Sequence, residues 1–143
     1  MMVSTKGRYA LRVMIELAMH PAGEYVPLKL IAEKQEISEK YLEIIIKNLV
    51  KADYVVGLRG KGGGYRLSRP VSEYTAGKIL KATEESLAPV ACLADGGKEC
   101  DRAKKCVTLP MWKDFYKMVD NFFENVTLES LVQQAKALEG MEA

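Results

Sequence analysis

The segment 54–69 constrains the fold of this chain most. Two short runs rich in Val, Tyr and Leu flank the glycine-dense stretch 59–64, a pattern typical of a β-hairpin. Three helical patterns precede this hairpin, and that order of elements is typical of a winged helix-turn-helix domain. The sequence therefore predicts a mainly α fold (α+β) with one small β-hairpin.

Residues that favour helix ends bound the first three helices. Ser4 is a plausible N-cap for a helix to about residue 19, Pro27 opens a short second helix that stops near residue 36, and Ser38 caps a third helix to about residue 52. The predicted core face of the third helix consists of Leu42, Ile45, Ile46, Leu49 and Val50.

The second half of the chain divides into a helix, a loop and a helical arm. Thr75 is expected to cap a fourth helix to about Leu87, Thr108 and Pro110 to open a long helix, and a last short helix to follow Thr127. This organisation predicts a winged helix-turn-helix domain at 1–88, a cysteine-bearing loop at 89–107, and a dimerisation helix with a C-terminal tail at 108–143.

The long helix carries an apolar stripe with three- and four-residue steps. Its members are Met111, Trp112, Phe115, Met118, Val119, Phe122 and Val126. Because the winged helix can build its core without this stripe, we expect the stripe to form a homodimer interface. The alternative is that it packs on the winged helix of its own chain.

Charge is unevenly divided along the 143 residues. Residues 1–70 hold twelve Lys and Arg against seven Asp and Glu, whereas residues 71–143 hold nine against twelve. A basic amino-terminal half indicates double-stranded DNA as a partner, although surface asymmetry of no functional meaning would give the same count.

The third helix would serve as the recognition helix, whose first turns enter the major groove. Its predicted DNA-reading residues are Ser38, Lys40, Tyr41, Glu43 and Ile44. Phosphate repels a carboxylate, so Glu43 is expected at this surface only if it accepts from a cytosine amino group. The alternative is a solvated Glu43 with Lys47 at i+4.

The wing tip and the first helix supply further cations. Predicted DNA contacts at the tip are Arg59, Gly60, Lys61, Gly62 and Gly63, because small residues admit a wing to the minor groove and its negative potential attracts arginine. Lys6, Arg8 and Arg12 could contact phosphates. The tip lacks the Ser or Thr and the helix that a phosphate-binding P-loop needs, and a plain flexible turn is the alternative.

The three cysteines of the chain all lie in one fifteen-residue stretch. Cys92, Cys100 and Cys106 stand in a polar, glycine-bearing loop, where a thiol buries nothing, and an odd number cannot pair fully into disulfides. Clustered thiolates hold a soft metal or an iron–sulfur cluster, and their wide spacing suits a cluster better than zinc. A fourth protein ligand is not evident among Asp95, Glu99, Asp101 and the single histidine, His20.

Other function classes find little support. One histidine without a nearby nucleophile indicates no enzyme and no small-molecule substrate. Arg12 and Glu16 interrupt the first apolar run, so no membrane span is expected. A cytoplasmic location follows, where thiols stay reduced.

Several segments together resemble the IscR-like iron–sulfur cluster regulators of the Rrf-two family. These are the opening 4–12 (STKGRYALR), the segment 37–44 (ISEKYLEI), the wing 59–66 (RGKGGGYR) and the three cysteines. The resemblance implies a homodimeric winged-helix transcription regulator, typically a repressor, that binds inverted-repeat promoter sites. It further implies a [2Fe-2S] cluster on Cys92, Cys100 and Cys106, and a role for Glu43 in the choice of promoter.

The sequence departs from this family at the fourth ligand. IscR-like proteins place a histidine three residues after the last cysteine, where this chain has Leu109. The nitric oxide-sensing branch uses an amino-terminal acid, where this chain has Arg8. Two alternatives therefore stay open: a DNA-binding protein with a thiol redox or zinc switch, and a cluster carrier or scaffold whose helix-turn-helix binds protein. The carrier predicts no salt-dependent DNA binding.

Overall fold

A computed structural model describes residues 3–94 and 100–142 of the chain. The described residues form six α-helices and one antiparallel hairpin, which confirms the predicted fold class. The elements, in chain order, are α1 (Thr5–Ala18), α2 (Leu28–Gln35), α3 (Glu39–Lys51), β1 (Val55–Leu58), β2 (Gly64–Leu67), α4 (Ala76–Thr83), α5 (Leu109–Glu124) and α6 (Leu128–Glu142). Within these residues, no helix is long and apolar enough to cross a membrane.

Side-chain caps fix the helix-turn-helix as expected. Ser4 Oγ accepts from the backbone N–H of Gly7 at 3.1 Å, and Ser38 Oγ accepts from that of Tyr41 at 3.2 Å. Helix α2 ends at Gln35, and the next residue, Glu36, turns the chain toward α3 with a φ of 54°. Ile37, within this turn, is buried in the core.

The core lies where α1, α3 and α4 meet. Leu42, Ile45, Ile46 and Leu49 are buried there as predicted, together with Ala10, Val13 and Met14 of α1 and Ile79 of α4. The prediction for Val50 is wrong, because this side chain is 43% exposed. One residue along a helix rotates the side chain by about 100°. Val50 therefore leaves the buried face that Leu49 occupies.

The hairpin pairs with the segment that precedes α2. Val55 pairs with Leu67 and Leu58 with Gly64, so the wing tip is the stretch 59–63. Val26, just before α2, pairs with Tyr65 through two backbone hydrogen bonds of 2.8 and 2.9 Å. Val26 therefore pairs with β2 as a single residue of a third strand, and this pairing joins the wing to the start of the helix-turn-helix.

Helix α4 is shorter than its sequence pattern predicts. It ends at Thr83 rather than near Leu87, and Glu84 adopts an extended conformation. Glu84 Oε1 accepts from the backbone N–H of Ser4 at 3.1 Å and from its hydroxyl at 2.5 Å. The Glu84 carboxylate thus satisfies the amino-terminal end of α1. Leu87 is buried without belonging to a helix.

The last helix is long rather than short. It follows Thr127 as predicted but spans 15 residues. Leu128 and Val132 are buried in the same core as α1 and α3, and the backbone N–H of Leu128 donates to Tyr74 at 3.1 Å. The arm 108–143 is therefore anchored on the winged helix. The predicted division into three functional units stays a prediction.

Candidate DNA interface and cysteine loop

The first turns of α3 present an exposed surface. Lys40, Glu43 and Ile44 are exposed, the last by 50%. The other two predicted readers are partly engaged in the fold. The Ser38 hydroxyl caps the helix, and Tyr41 is half-buried with its ring 5.9 Å from that of Tyr9 in an edge-to-face contact.

The tip of the wing is open on the same side of the domain. Arg59, Gly60, Lys61 and Gly62 are exposed, and Gly63 is half-buried. A turn closes the tip, because the backbone N–H of Gly63 donates to the carbonyl oxygen of Gly60 at 3.0 Å. Two cations therefore stand on a stretch of backbone with few side chains.

A cleft of about 780 Å³ lies between α3 and the wing. Glu43 and Lys47 line it from the helix, and Arg59 lines it from the wing. Among the ion pairs of the described residues, none joins Glu43 to Lys47. The structure thus brings together two groups of predicted DNA contacts that lie sixteen residues apart in sequence.

Sequence reasoning missed the apolar part of this surface. Val50 and Leu58 also line the cleft, and they are 43% and 49% exposed. A signal existed for Leu58: it stands three residues after the buried Val55, and the two-residue period of a strand places these two side chains on opposite faces of β1. Exposed apolar side chains facing a groove suit contacts with thymine methyl groups.

The three predicted cations of α1 have different surroundings. Arg8 is exposed, and its guanidinium donates to Thr5 Oγ1 at 3.1 Å. Lys6 is half-buried. The guanidinium of Arg12 instead donates from Nε to Gln35 Oε1 at 3.1 Å, between α1 and α2.

All three cysteines are unpaired thiols. Cys92 lies in a 3₁₀ turn at Ala91–Leu93 and is half-buried, Cys100 is exposed, and Cys106 is half-buried. The Thr108 hydroxyl, 3.4 Å from Cys106 Sγ, lowers the pKa of the Cys106 thiol, and the backbone N–H groups of Thr108 and Leu109 assist. A thiol with a lowered pKa is a better ligand and nucleophile.

The donor chemistry of the loop fits a soft metal or a cluster, because three free thiols are available. Over 3–94 and 100–142, however, no three His, Cys, Asp or Glu side chains come together as a metal site. Of the considered fourth ligands, Asp101 is exposed, His20 is bonded to Glu16 on α1, and Asp95 and Glu99 lie outside the described residues.

One face of α5 is exposed to solvent. None of its residues is buried, and Met111, Phe115, Met118 and Phe122 are 42–69% exposed. The opposite face is fastened to α4, where Lys81 Nζ lies 2.6 Å from Asp120 and 3.0 Å from Glu124. The hydrogen bond to Asp120 raises the pKa of Lys81, while burial opposes this effect and Glu124 adds to it.

Known proteins share this architecture. The model of the Rrf2 family, described as an iron-dependent transcriptional regulator, matches residues 3–134. The HTH-type transcriptional regulator IscR of Vibrio atlanticus (strain LGP32) is 36% identical over 139 residues, which cover 97% of this chain and 79% of that protein.

Two solved structures are similar over most of the chain. The structure of CymR (YrzC), the global cysteine regulator of B. subtilis, matches with a TM-score of 0.75 and 34% identity, over 94% of this chain and 98% of that one. T. potens IscR matches with a TM-score of 0.74 and 33% identity, over 94% of this chain and 88% of that one.

Proposed function

The chain belongs to the Rrf2 family of transcriptional regulators, and from this we propose that it is a cytoplasmic homodimer that senses iron–sulfur cluster status and controls promoters accordingly. Its relatives are DNA-binding regulators and not enzymes. The observation that carries the proposal is the cleft in which the exposed first turns of α3 and the cationic wing tip face one another.

In the proposed complex, α3 lies in the major groove and the wing in the adjacent minor groove. Lys40 and Ile44 face base edges or phosphates, Glu43 accepts from a cytosine amino group, and Arg59 and Lys61 enter the minor groove. Lys6 and Arg8 contact phosphates at the amino end of α1. The position of Glu43 inside the cleft, without Lys47 as an ion-pair partner among the described residues, supports its role in base reading.

Binding to inverted-repeat duplexes selected from a random library tests this interface. Glu43→Ala is expected to relax the preference for cytosine at one position per half-site, a discrimination of about 1–3 kcal/mol. Arg59→Ala is expected to weaken binding and reduce its salt dependence. An unmodified protein whose affinity for duplex DNA does not fall with salt would contradict the proposal and favour the protein-binding scaffold.

The exposed face of α5 supports a homodimer. Met118 and Phe122 are 69% and 65% exposed on a helix whose other face is held against α4, so they are available to a second copy of the chain. Replacing both with Glu is expected to give a monomer in light scattering, with Lys113→Glu on the same helix as the control. A dimer that survives the double change would place the interface elsewhere.

For the sensor, Cys92, Cys100 and Cys106 are the proposed ligands of a [2Fe-2S] cluster. When bound, such a cluster would cross-link separate parts of the loop. The cross-link would be present only when iron supply and redox conditions allow the cluster to form. The loop at 89–107 follows five residues after Glu84, whose carboxylate accepts from the start of α1, and it leads into Thr108, which precedes α5. Order in this loop would therefore act on both the DNA contacts of α1 and the spacing of two recognition helices in a dimer.

Anaerobic purification with a visible spectrum and an iron and sulfide assay tests the cluster. A red-brown protein with about two irons and two sulfides per chain supports the proposal. Changing all three cysteines to Ala is expected to alter the affinity or preference for the selected sites. Unaltered binding by that variant would contradict sensing through the loop while leaving DNA binding intact.

A thiol or zinc switch is the second candidate. The likeness to CymR, the global cysteine regulator of B. subtilis, favours it, as do the lowered pKa of Cys106 and the presence of Leu109 where IscR-like proteins have histidine. A colourless protein that resists cluster reconstitution, and whose DNA affinity changes with thiol oxidation or with zinc, would establish this alternative.

A further inference from the structure

Arg12 of α1 is held inside the helix-turn-helix rather than extended toward solvent. Its Nε donates to Gln35 Oε1 at 3.1 Å, and one of its terminal nitrogens donates to the backbone carbonyl oxygen of Gln35. Gln35 is the last residue of α2, where carbonyl groups lack helical partners. A cation at this helix end is also favoured by the helix dipole.

Gln35 is fixed from its other side by a buried carboxylate. Its Nε2 donates to Glu16 Oε1 at 2.9 Å, and Glu16 is only 6% exposed. Glu16 Oε2 lies 2.9 Å from His20 Nε2 and 3.7 Å from Lys34 Nζ. The side-chain amide and the backbone carbonyl of Gln35 are therefore both bonded to α1, so the carboxyl end of α2 has little freedom.

Arg12 is also linked to α3 indirectly, by way of the Tyr9 ring, which it contacts itself, and the Tyr41 ring beyond it. Its guanidinium carbon lies 4.8 Å from the centre of the Tyr9 ring, and Tyr9 meets Tyr41 edge to face at 5.9 Å. Tyr41 stands in the first turn of α3. Contacts from one helix thus reach both sides of the turn 36–38 that joins α2 to α3.

We infer that Arg12 is a positioning residue for DNA recognition, which sets the orientation of the first turn of α3 through Gln35 and Tyr9 and makes no phosphate contact itself. The inference rests on the proposed DNA-binding function. Base reading requires side chains placed to within about 0.5 Å, so a small rotation of α3 removes hydrogen bonds to bases. Phosphate attraction depends on charge and tolerates such a rotation.

Arg12→Met tests the inference, because it keeps the stem and removes the donors, with Arg8→Met one turn earlier as the matched control. Arg12→Met is expected to weaken binding to a selected inverted repeat about tenfold, as the loss of one base contact would. Binding to random duplex and the salt dependence should not change. Arg8→Met should weaken both, and reduce the slope of log K against log salt by about one.

The link through Gln35 has its own test. Gln35→Met should lower site preference less than Arg12→Met does, because Arg12 still reaches the backbone carbonyl of residue 35. The double variant should lose less than the sum of the two single ones, because both remove the bond between Arg12 Nε and Gln35 Oε1. Arg12→Lys keeps the charge but lacks the fork that reaches both oxygens of Gln35, so it should not restore site preference. Full rescue by Lys, additive losses, or a reduced salt slope in Arg12→Met would each overturn the inference.

A measurement without DNA separates this inference from the proposed function. Hydrogen exchange at the Tyr41 and Leu42 amides should be faster in Arg12→Met than in the unmodified protein, while exchange in α4 should not change. Unchanged exchange at Tyr41 would contradict positioning even if DNA binds. Faster exchange in a protein that shows no salt-dependent DNA binding would support the positioning contact and contradict only the function proposed for it.

Discussion

The contact between the wing and the segment Val26–Pro27, just before α2, depends on Gly64 of β2. Its φ is +150°, and a Cβ at this position would overlap the carbonyl group of Val26 and lie 2.8 Å from the nitrogen of Pro27. The same backbone approach allows the two hydrogen bonds between Val26 and Tyr65. Gly64→Ala is therefore expected to push the wing away from the start of α2.

The expected cost follows from these contacts. Loss of the two backbone hydrogen bonds removes about 1–3 kcal/mol. A positive φ at an alanine adds about 1–2 kcal/mol. The free energy of unfolding should therefore fall by about 2–5 kcal/mol. Gly62→Ala is the matched control in the same wing, since its φ is +77° but no atom lies within 4 Å of the added Cβ. It should cost only the strain, about 1–2 kcal/mol.

Urea unfolding followed by circular dichroism measures both variants. Hydrogen exchange at the Val26 and Tyr65 amides should accelerate in Gly64→Ala and not in Gly62→Ala. DNA affinity should follow the same order, because only Gly64→Ala moves the wing relative to α3. Equal unfolding free energies for the two variants, with Val26 and Tyr65 still protected, would refute the reasoning.

Three further predictions concern single contacts. Tyr74→Phe should lower the free energy of unfolding by about 1–2 kcal/mol in urea unfolding, because the buried hydroxyl donates to the Tyr54 carbonyl oxygen at 2.7 Å. Thr108→Val should raise the pKa of Cys106, so the midpoint of its alkylation rate against pH, followed by mass spectrometry, should move up; an unmoved midpoint contradicts this. Lys81→Met should cost about 1 kcal/mol by the same urea assay, since it breaks an exposed ion-pair network between α4 and α5; no change would show that screening cancels it.

Local chemistry made the helix-turn-helix and the wing predictable. Ser4 and Ser38 predict helix starts, because the hydroxyl of an N-cap residue accepts from a backbone N–H only three residues later in the sequence. The wing is similar, since glycines between two β-type runs specify a hairpin over ten or so residues. The DNA-reading candidates then follow from their positions on these elements; Lys40, Glu43 and residues 59–62 are exposed, and their contact with DNA stays a prediction.

Features set by distant partners were not predictable. Helix α4 ends at Thr83 because the next residue, Glu84, serves the amino end of α1, eighty residues earlier. The place where α6 begins depends on Leu128 and Val132, which are buried in a core formed mainly by residues of the first half of the chain. Helical periodicity places Val50 about 100° from Leu49, at the edge of the apolar face of α3, and the sequence could not show that this edge lines an open cleft beside the wing.

Arg8 and Arg12 of α1 show why charge composition can predict DNA binding but cannot predict which residues contact the DNA. A charge count gives every Lys and Arg of the amino-terminal half the same weight, so Arg8 and Arg12 count equally in the sequence. Their neighbours distinguish them: Arg8 faces solvent beside Thr5, whereas Arg12 meets the carboxyl end of α2. Arg8 is therefore available for a phosphate contact, whereas the guanidinium of Arg12 is hydrogen-bonded to the last residue of α2. The two should consequently differ in salt dependence although they lie one turn apart on the same helix.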